Sequence, residues 1–366
     1  MINNLIFDDI DFGVIITRLL SKELITDIMI WQTEIWITDI KKGHYQYSFK
    51  RDKEEDIAEF HCLILKLPRQ IAIRMGCSYN EGNPIIDGEA VYSDIGQLRF
   101  NAIHESLTDG IYPAIAIRKT LYRLRLNTTN IIDDEYADQR FIYLMEALID
   151  CGCNVMIGGE TGSGKTELLK YIAKWIRKNE AIITMEDTLE VYLKRLYPKK
   201  NVLALKSSKN YGFAELLRSC LRQNPDWICV SETRGKEIIQ LNEAVGTGHR
   251  LISTLHTDSA RNIPYRMIEM SQTQSNAVDR VFRQIHHNIN IGIHIYYYND
   301  NLGSHRYINE ICEFYLDENN KPQCHIIYFY DYQNHNYQCT KIISPTIKMK
   351  LVQKHTNIAK LEGIFI

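Results

Sequence analysis

The chain has 366 residues, with 43 Lys and Arg against 45 Asp and Glu, for a formal net charge of -2. That balance argues against a protein that binds nucleic acid along its whole length, which needs a clustered surplus of cations. Apolar residues at 45% and charged residues at 24% describe an ordinary globular chain, and the length predicts two domains, each able to bury a core.

No apolar stretch approaches the ~20 residues a membrane-crossing helix needs, and Met1-Ile2-Asn3-Asn4 lacks a basic, signal-like start. The 9 cysteines are scattered and contain no Cys-x-x-Cys pair, which disfavours a disulfide scaffold and points to a cytoplasmic protein. The 22 tyrosines read as a composition bias, not a binding device.

In chain order, Ile28, Ile30 and Trp36-Ile37-Thr38 predict antiparallel strands and Asp56 to Leu67 a helix, giving a small α+β domain over residues 1–128. The polar and acidic stretch 129–136 reads as a linker. From 137 to 366 helical and strand patterns alternate, the mark of a parallel sheet wrapped by helices. Phe141, Leu144, Met145 and Leu148 recur at helical spacing, and Asn154 to Ile157 forms a strand. Leu168 to Ile176 is the next helical stripe, followed by strands at 181–184, 227–230 and 251–254. Isoleucine at every second place from Ile289 to Ile295 predicts a half-buried strand, and the last sixty or so residues read as hairpins around a turn at Asp317 to Asn320.

Gly159-Glu160-Thr161-Gly162-Ser163-Gly164-Lys165-Thr166 satisfies G-x-x-x-x-G-K-[ST] between a predicted strand and a predicted helix. Glycines let such a loop curl so that its N–H groups face phosphate oxygens, and the helix that follows adds its positive end. Lys165 would neutralise the β- and γ-phosphates and Thr166 would give a hydroxyl to Mg²⁺, so the loop implies ATP or GTP. A dinucleotide fingerprint fits less well, because Glu167 stands where it wants Gly or Ala. Hydrolysis also needs acids at the carboxyl ends of neighbouring strands. Glu186 and Asp187 follow one strand, Glu232 closes another, and His249 and His256 bracket a third.

These segments in this order resemble the ATPases of type II and type IV secretion, type IV pili and conjugation. The likeness rests on the phosphate loop, an acidic box from Ile182 to Glu190, Leu221-Arg222-Gln223-Asn224-Pro225-Asp226 leading to Glu232 and Arg234, and Thr247 to His256. Ser231 stands where the family usually has Gly, and is small enough to leave Glu232 its role. In the first domain Gly96-Gln97-Leu98-Arg99 and Ala116-Ile117-Arg118-Lys119 resemble the family's two arginine segments.

The resemblance implies a RecA-like P-loop NTPase domain behind a small α+β N-terminal domain, with ATP and Mg²⁺ as cofactors. It implies Glu186 as general base or water-orienting acid, Glu232 as the acid that organises Mg²⁺ and water, and His256 as γ-phosphate sensor. Arg99, Arg118 and Arg222 would offset phosphate charge. No four-cysteine metal knuckle can be built. Asn290 to Ile295, followed by His305 to Glu313, is similar to the strand and R-x-x-x-E-I-x-E hairpin of type IV secretion traffic ATPases and tight-adherence pilus relatives. The resemblance implies a cytoplasmic homo-hexameric motor that can associate with the inner face of the cell membrane through secretion or pilus machinery proteins and need not touch its cargo; no direct nucleic-acid binding is evident in the sequence. A pilus-assembly motor and a nucleotide-gated docking platform with negligible hydrolysis are the alternatives.

Overall fold

The computed structural model describes residues 10–92, 96–208, 210–272, 277–301 and 303–354, with 361 and 364. The amino-terminal Met1 to Asn4 lies outside the described residues. The chain divides into two compact units, Met1–Tyr122 with Asn299–His305, and Arg123–Tyr298 with Arg306–Ile366.

The first unit runs α1 (Gly13–Ser21), β1 (Ile25–Trp31), β2 (Glu34–Asp39), β3 (Gly43–Gln46), α2 (Glu54–Met75), β4 (Ile85–Tyr92), β5 (Gly96–Ile103) and β6 (Ala114–Leu121). Its strands form one sheet in the order β3-β2-β1-β6-β5-β4, antiparallel throughout. Burial alternates along β5, so Leu98, Phe100 and Ala102 face the core with α1 and α2 while the residues between them face away. Helix α2 extends well beyond the expected Asp56–Leu67. Acids occupy its first turn, Gly76 ends it at a φ of 67°, and buried Leu67, Ile71 and Ala72 carry it past Pro68. Packing on the sheet outweighs the helix-breaking tendency of an interior proline.

The second unit runs α3 (Thr128–Asp133), α4 (Gln139–Asp150), β7 (Val155–Gly159), α5 (Lys165–Ile172), β8 (Ala181–Glu186), α6 (Leu193–Leu196), β9 (Asn201–Lys206) and α7 (Phe213–Leu221). It continues with β10 (Trp227–Val230), α8 (Glu237–Gly246), β11 (Arg250–Leu255), α9 (Ile263–Ser271), α10 (Val278–Asn288), β12 (Ile291–Asp300), β13 (Gly303–Leu316), β14 (Pro322–Asp331), β15 (Asn336–Cys339) and α11 (Pro345–Gln353). The stretch read as a linker is therefore largely helix α3. Asn127 caps it, with the Asn130 side chain returning the bond to the cap backbone. The chain's end is not all hairpin either, since Ser344 caps the closing helix α11.

The sheet order is β15-β14-β13-β12-β7-β11-β10-β8-β9. Strands β12, β7, β11, β10, β8 and β9 run parallel, and β13 to β15 form an antiparallel meander. Strands β7 and β10 are buried along their whole length, as a parallel sheet covered on both faces requires. One core joins the sheet to α4, α5 and α11, and the other joins it to α7, α8, α9 and α10. Parallel strands put all their carboxyl ends on one edge, where β7 opens into the glycine loop and β8, β10 and β11 end beside it.

Candidate functional site

The loop after β7 has the backbone the motif predicts. Gly159, Gly162 and Gly164 have φ of 150°, 79° and 94°, a region that side chains disfavour. A Cβ at Gly159 would meet Ser163 Oγ at 2.6 Å. Ser163 Oγ is itself buried with no hydrogen-bond partner, which a phosphate oxygen in the loop would satisfy. Lys165 opens α5 and is 8% exposed. Its Nζ donates to the carbonyls of Gly159 and Glu160 at 3.0 and 2.8 Å. Burial pushes the ammonium down to about 8, against the opposing pull of Glu232 and Glu190.

A chain of charged groups extends from this lysine. Lys165 Nζ lies 3.3 Å from His256 Nδ1. An ammonium has only donors, so Nδ1 accepts and the ring proton sits on Nε2. That nitrogen is 3.0 Å from Glu232 Oε1, and Arg234 donates to Glu232 Oε2 at 2.7 Å. Burial works against ionised Glu232, but the bond from Arg234 and the charges of Arg234 and Lys165, with the His256 ring beside it, outweigh it and hold the carboxyl below its usual range. The backbone around Glu232 is fixed from both sides. The Thr254 hydroxyl donates to the Ser231 carbonyl at 2.5 Å and Thr233 N–H donates to the Thr254 carbonyl at 2.8 Å. Ser231 fits there at 7% exposure.

The acidic box behaves differently from its sequence reading. Glu186 is 3% exposed, and both of its oxygens are engaged. Oε2 accepts the N–H groups of Glu190 and Val191 at 2.7 and 2.9 Å, and Oε1 accepts the Thr184 hydroxyl at 3.0 Å. Burial raises its pKa, and these bonds recover only part of the cost. Glu186 thus folds the box back on itself and swings Glu190 toward the phosphate loop, where Glu190 Oε1 accepts the Thr166 hydroxyl at 3.1 Å. Sequence reasoning bounded the box at Glu190 but gave that residue no role. A signal was available in the acid's spacing four residues beyond the strand end.

Arg306 was also passed over as a site residue. Its Nε donates to the Gly162 carbonyl at 3.0 Å and its guanidinium lies 4.4 Å from the Tyr297 ring centre, bracing the tip of the phosphate loop.

Four other candidate residues lie elsewhere. Arg222 is exposed just after α7 and before β10, on the amino edge of the sheet, opposite the phosphate loop. His249 precedes β11 on that same edge, with Nδ1 near the Thr247 hydroxyl and the Ala244 carbonyl. Arg99 and Arg118 belong to the first unit, paired in register on β5 and β6. The register sets Glu89, Arg99, Arg118 and Asp27 in one row across four strands, and Arg118 Nε donates to Asp27 at 2.6 Å.

A strand-ending glycine loop, a buried lysine and converging acids are the features of a nucleotide-handling sheet edge. The Type II/IV secretion system protein family matches residues 99–293, more than half of the chain. The chain belongs to that family. This span takes in Arg99 and Arg118, the phosphate loop and the acidic and histidine segments.

Among relatives, the chain is 32% identical over 285 residues to an uncharacterized protein of Bacillus anthracis, covering 77% of this chain and 61% of that one. It is 36% identical over 132 residues to the type IV secretion system protein VirB11 of Bartonella henselae, covering 34% and 36%. The chain thus spans less than two thirds of these relatives' length. Its fold is like that of the ATPase DotB of Yersinia pseudotuberculosis, with a TM-score of 0.60 at 16% identity over 93% of this chain and 81% of that one. The second unit has the RecA-like architecture of the secretion ATPases. Among the described residues no helix is long and apolar enough to cross a membrane.

Proposed function

We propose that this chain hydrolyses ATP with Mg²⁺ as a motor of type IV secretion machinery. The observation that carries the reading is the meeting of Lys165, Thr166, Glu190, Glu232 and His256 at one sheet edge beside a loop with an orphaned hydroxyl. The donors suit the cofactor, since a threonine hydroxyl and carboxylates are the hard oxygen ligands Mg²⁺ prefers. Thr166 and Glu190, with Glu232, would hold the ion, and it would supply charge neutralisation on the phosphates.

Lys165 trades its loop carbonyls for phosphate oxygens and keeps its charge there. Glu190, beside the Thr166 hydroxyl, orients water. Glu186 shapes the box that delivers it. His256, between Lys165 and Glu232, is set to register whether a γ-phosphate is present. Arg99 and Arg118 would close over nucleotide from the N-terminal domain, which we equate with the first unit, the second unit being the ATPase domain. Arg222, on the far sheet edge, can offset charge only on a nucleotide held by another copy, as a ring of six would allow.

The secretion branch is favoured by the similarity to VirB11 and by Arg306 and Glu310 of the hairpin signature, which brace the phosphate loop and the segment after His256. In such a machine the protein sits in the cytoplasm, at the inner face of the membrane through its partners. Phosphate release from Mg-ATP tests the reading. Lys165→Ala should lower turnover at least about 10²-fold, because it removes the charge that the phosphates meet. Unchanged turnover in that variant, or none in the wild type, overturns the catalytic assignment. Negligible wild-type turnover with tight ATP binding would favour the docking platform.

A further inference from the structure

His294 is a buried titratable group that this chemistry does not use. It is 3% exposed, on β12, in register with Gly158 of the strand that feeds the phosphate loop. Its Nδ1 lies 3.2 Å from Asn309 Nδ2 on β13. With the Asn309 amide donating, Nδ1 carries no proton and the ring N–H lies on Nε2; the Thr257 backbone is among the groups that favour the protonated ring against its burial. Thr257 follows His256 directly. Two further features grip the same segment. Glu310, next to Asn309, accepts the Ala260 N–H at 2.8 Å and pairs with Arg261 at 3.3 Å. On the other side Thr257 sits so close to β7 that a Cβ at Gly158 would meet its methyl at 2.2 Å.

We propose that His294, oriented by Asn309, is a positioning residue that fixes the height of the His256 loop over the phosphate site, with Glu310 anchoring the loop's far end. His256 is joined to Lys165 and Glu232 by contacts of 3.3 and 3.0 Å, so a loop shift of about 1 Å breaks both. The neutral ring tautomer supplies what an apolar residue cannot, an acceptor for Asn309 and an N–H beside the Thr257 backbone. The proposal rests on the ATPase reading, and its test separates the two.

The full chain with Mg-ATP is assayed for turnover, nucleotide affinity and backbone amide exchange. His294→Ala should lower kcat about tenfold or more with nucleotide affinity held within about twofold, the split expected when only alignment is lost. It should speed amide exchange in residues 257–262 while the phosphate loop keeps its protection. His294→Gln, whose amide N–H can serve Thr257, should restore most of kcat, and Asn309→Ala should add nothing to His294→Ala because both act through one ring. Unchanged exchange at 257–262 in His294→Ala overturns the proposal even if no variant hydrolyses ATP, which would sink the ATPase reading alone. Parallel loss of affinity, kcat and thermal stability without rescue by Gln also overturns it, leaving His294 a core residue.

Discussion

Both edges of the second unit's sheet carry ionisable groups, yet they use them in opposite ways. At the amino edge the charges between the strand starts are closed off by partners. Arg250 pairs with Glu180 and covers the Trp227 ring, while Glu180 also accepts the Trp227 indole N–H at 2.9 Å. Asp226 accepts the Ala181 N–H at 2.7 Å, and Asn154 accepts the Leu251 N–H at 2.8 Å, tying strand starts together. At the carboxyl edge a buried lysine leans on carbonyl oxygens, a serine hydroxyl has no partner, and three acids crowd nearby. One edge is satisfied and holds the sheet in register. The other is under-satisfied where a phosphate would complete it, which is how a site differs from a clamp.

The largest test of that contrast compares two acids on the carboxyl edge. Glu190→Gln should cut turnover about 10²-fold or more while nucleotide still binds, because it removes the acid beside Thr166. Glu186→Gln should keep turnover within about threefold, since a glutamine carbonyl can still accept both backbone N–H groups and its amide can meet Thr184. Steady-state phosphate release and nucleotide titration read both, and the reverse order of effects would restore Glu186 to the catalytic place the sequence suggested.

Next in size is a pH effect. Burial holds Lys165 down at about 8, and bound phosphates favour its charged form. Free protein therefore loses the charge above pH 8 while complex retains it. Nucleotide affinity should be flat below that pH and fall by up to about tenfold per unit above it, until the bound lysine also titrates. Fluorescent-nucleotide titrations from neutral to alkaline pH check the slope, which should disappear in Lys165→Ala.

The amino edge predicts a loss of stability instead of rate. Glu180→Ala leaves Arg250 and the Trp227 indole without their acceptor, at a cost of about 2–4 kcal/mol in denaturant unfolding. Turnover per folded molecule should hold. A fall in kcat with stability intact would erase the distinction between the edges.

How legible these edges were in sequence depended on how local each feature is. The phosphate loop is set by glycine conformations within eight residues, so its motif and its place between strand and helix carried through to Gly159–Thr166. The strands bearing Glu232 and His256 were equally readable from short apolar runs. The turn that buries Glu186 and brings Glu190 to Thr166 was not, because it arises from a carboxylate turning back on its own chain, a matter of burial and backbone direction. Helix α3 was hidden because Asn127 and Asn130 read as loop residues until the reciprocal cap is seen. His294 vanished into the isoleucine alternation of its strand, whose polar face only the neighbouring hairpin explains.

Arg222 shows a signal that was present and unused. A residue before a parallel strand lies on the opposite edge from one after it, so its place ahead of β10 already separated it from Glu232 behind that strand. Arg222→Ala should leave stability within about 0.5 kcal/mol, as for other exposed residues, and nucleotide affinity of the dissociated chain unchanged. Any effect on turnover should emerge only as protein concentration drives assembly, because the arginine can meet only a neighbour's phosphates. Turnover measured against concentration, with light scattering on the same samples, decides this. A defect already full in the monomer would place Arg222 at its own nucleotide and break the division of labour between the two edges.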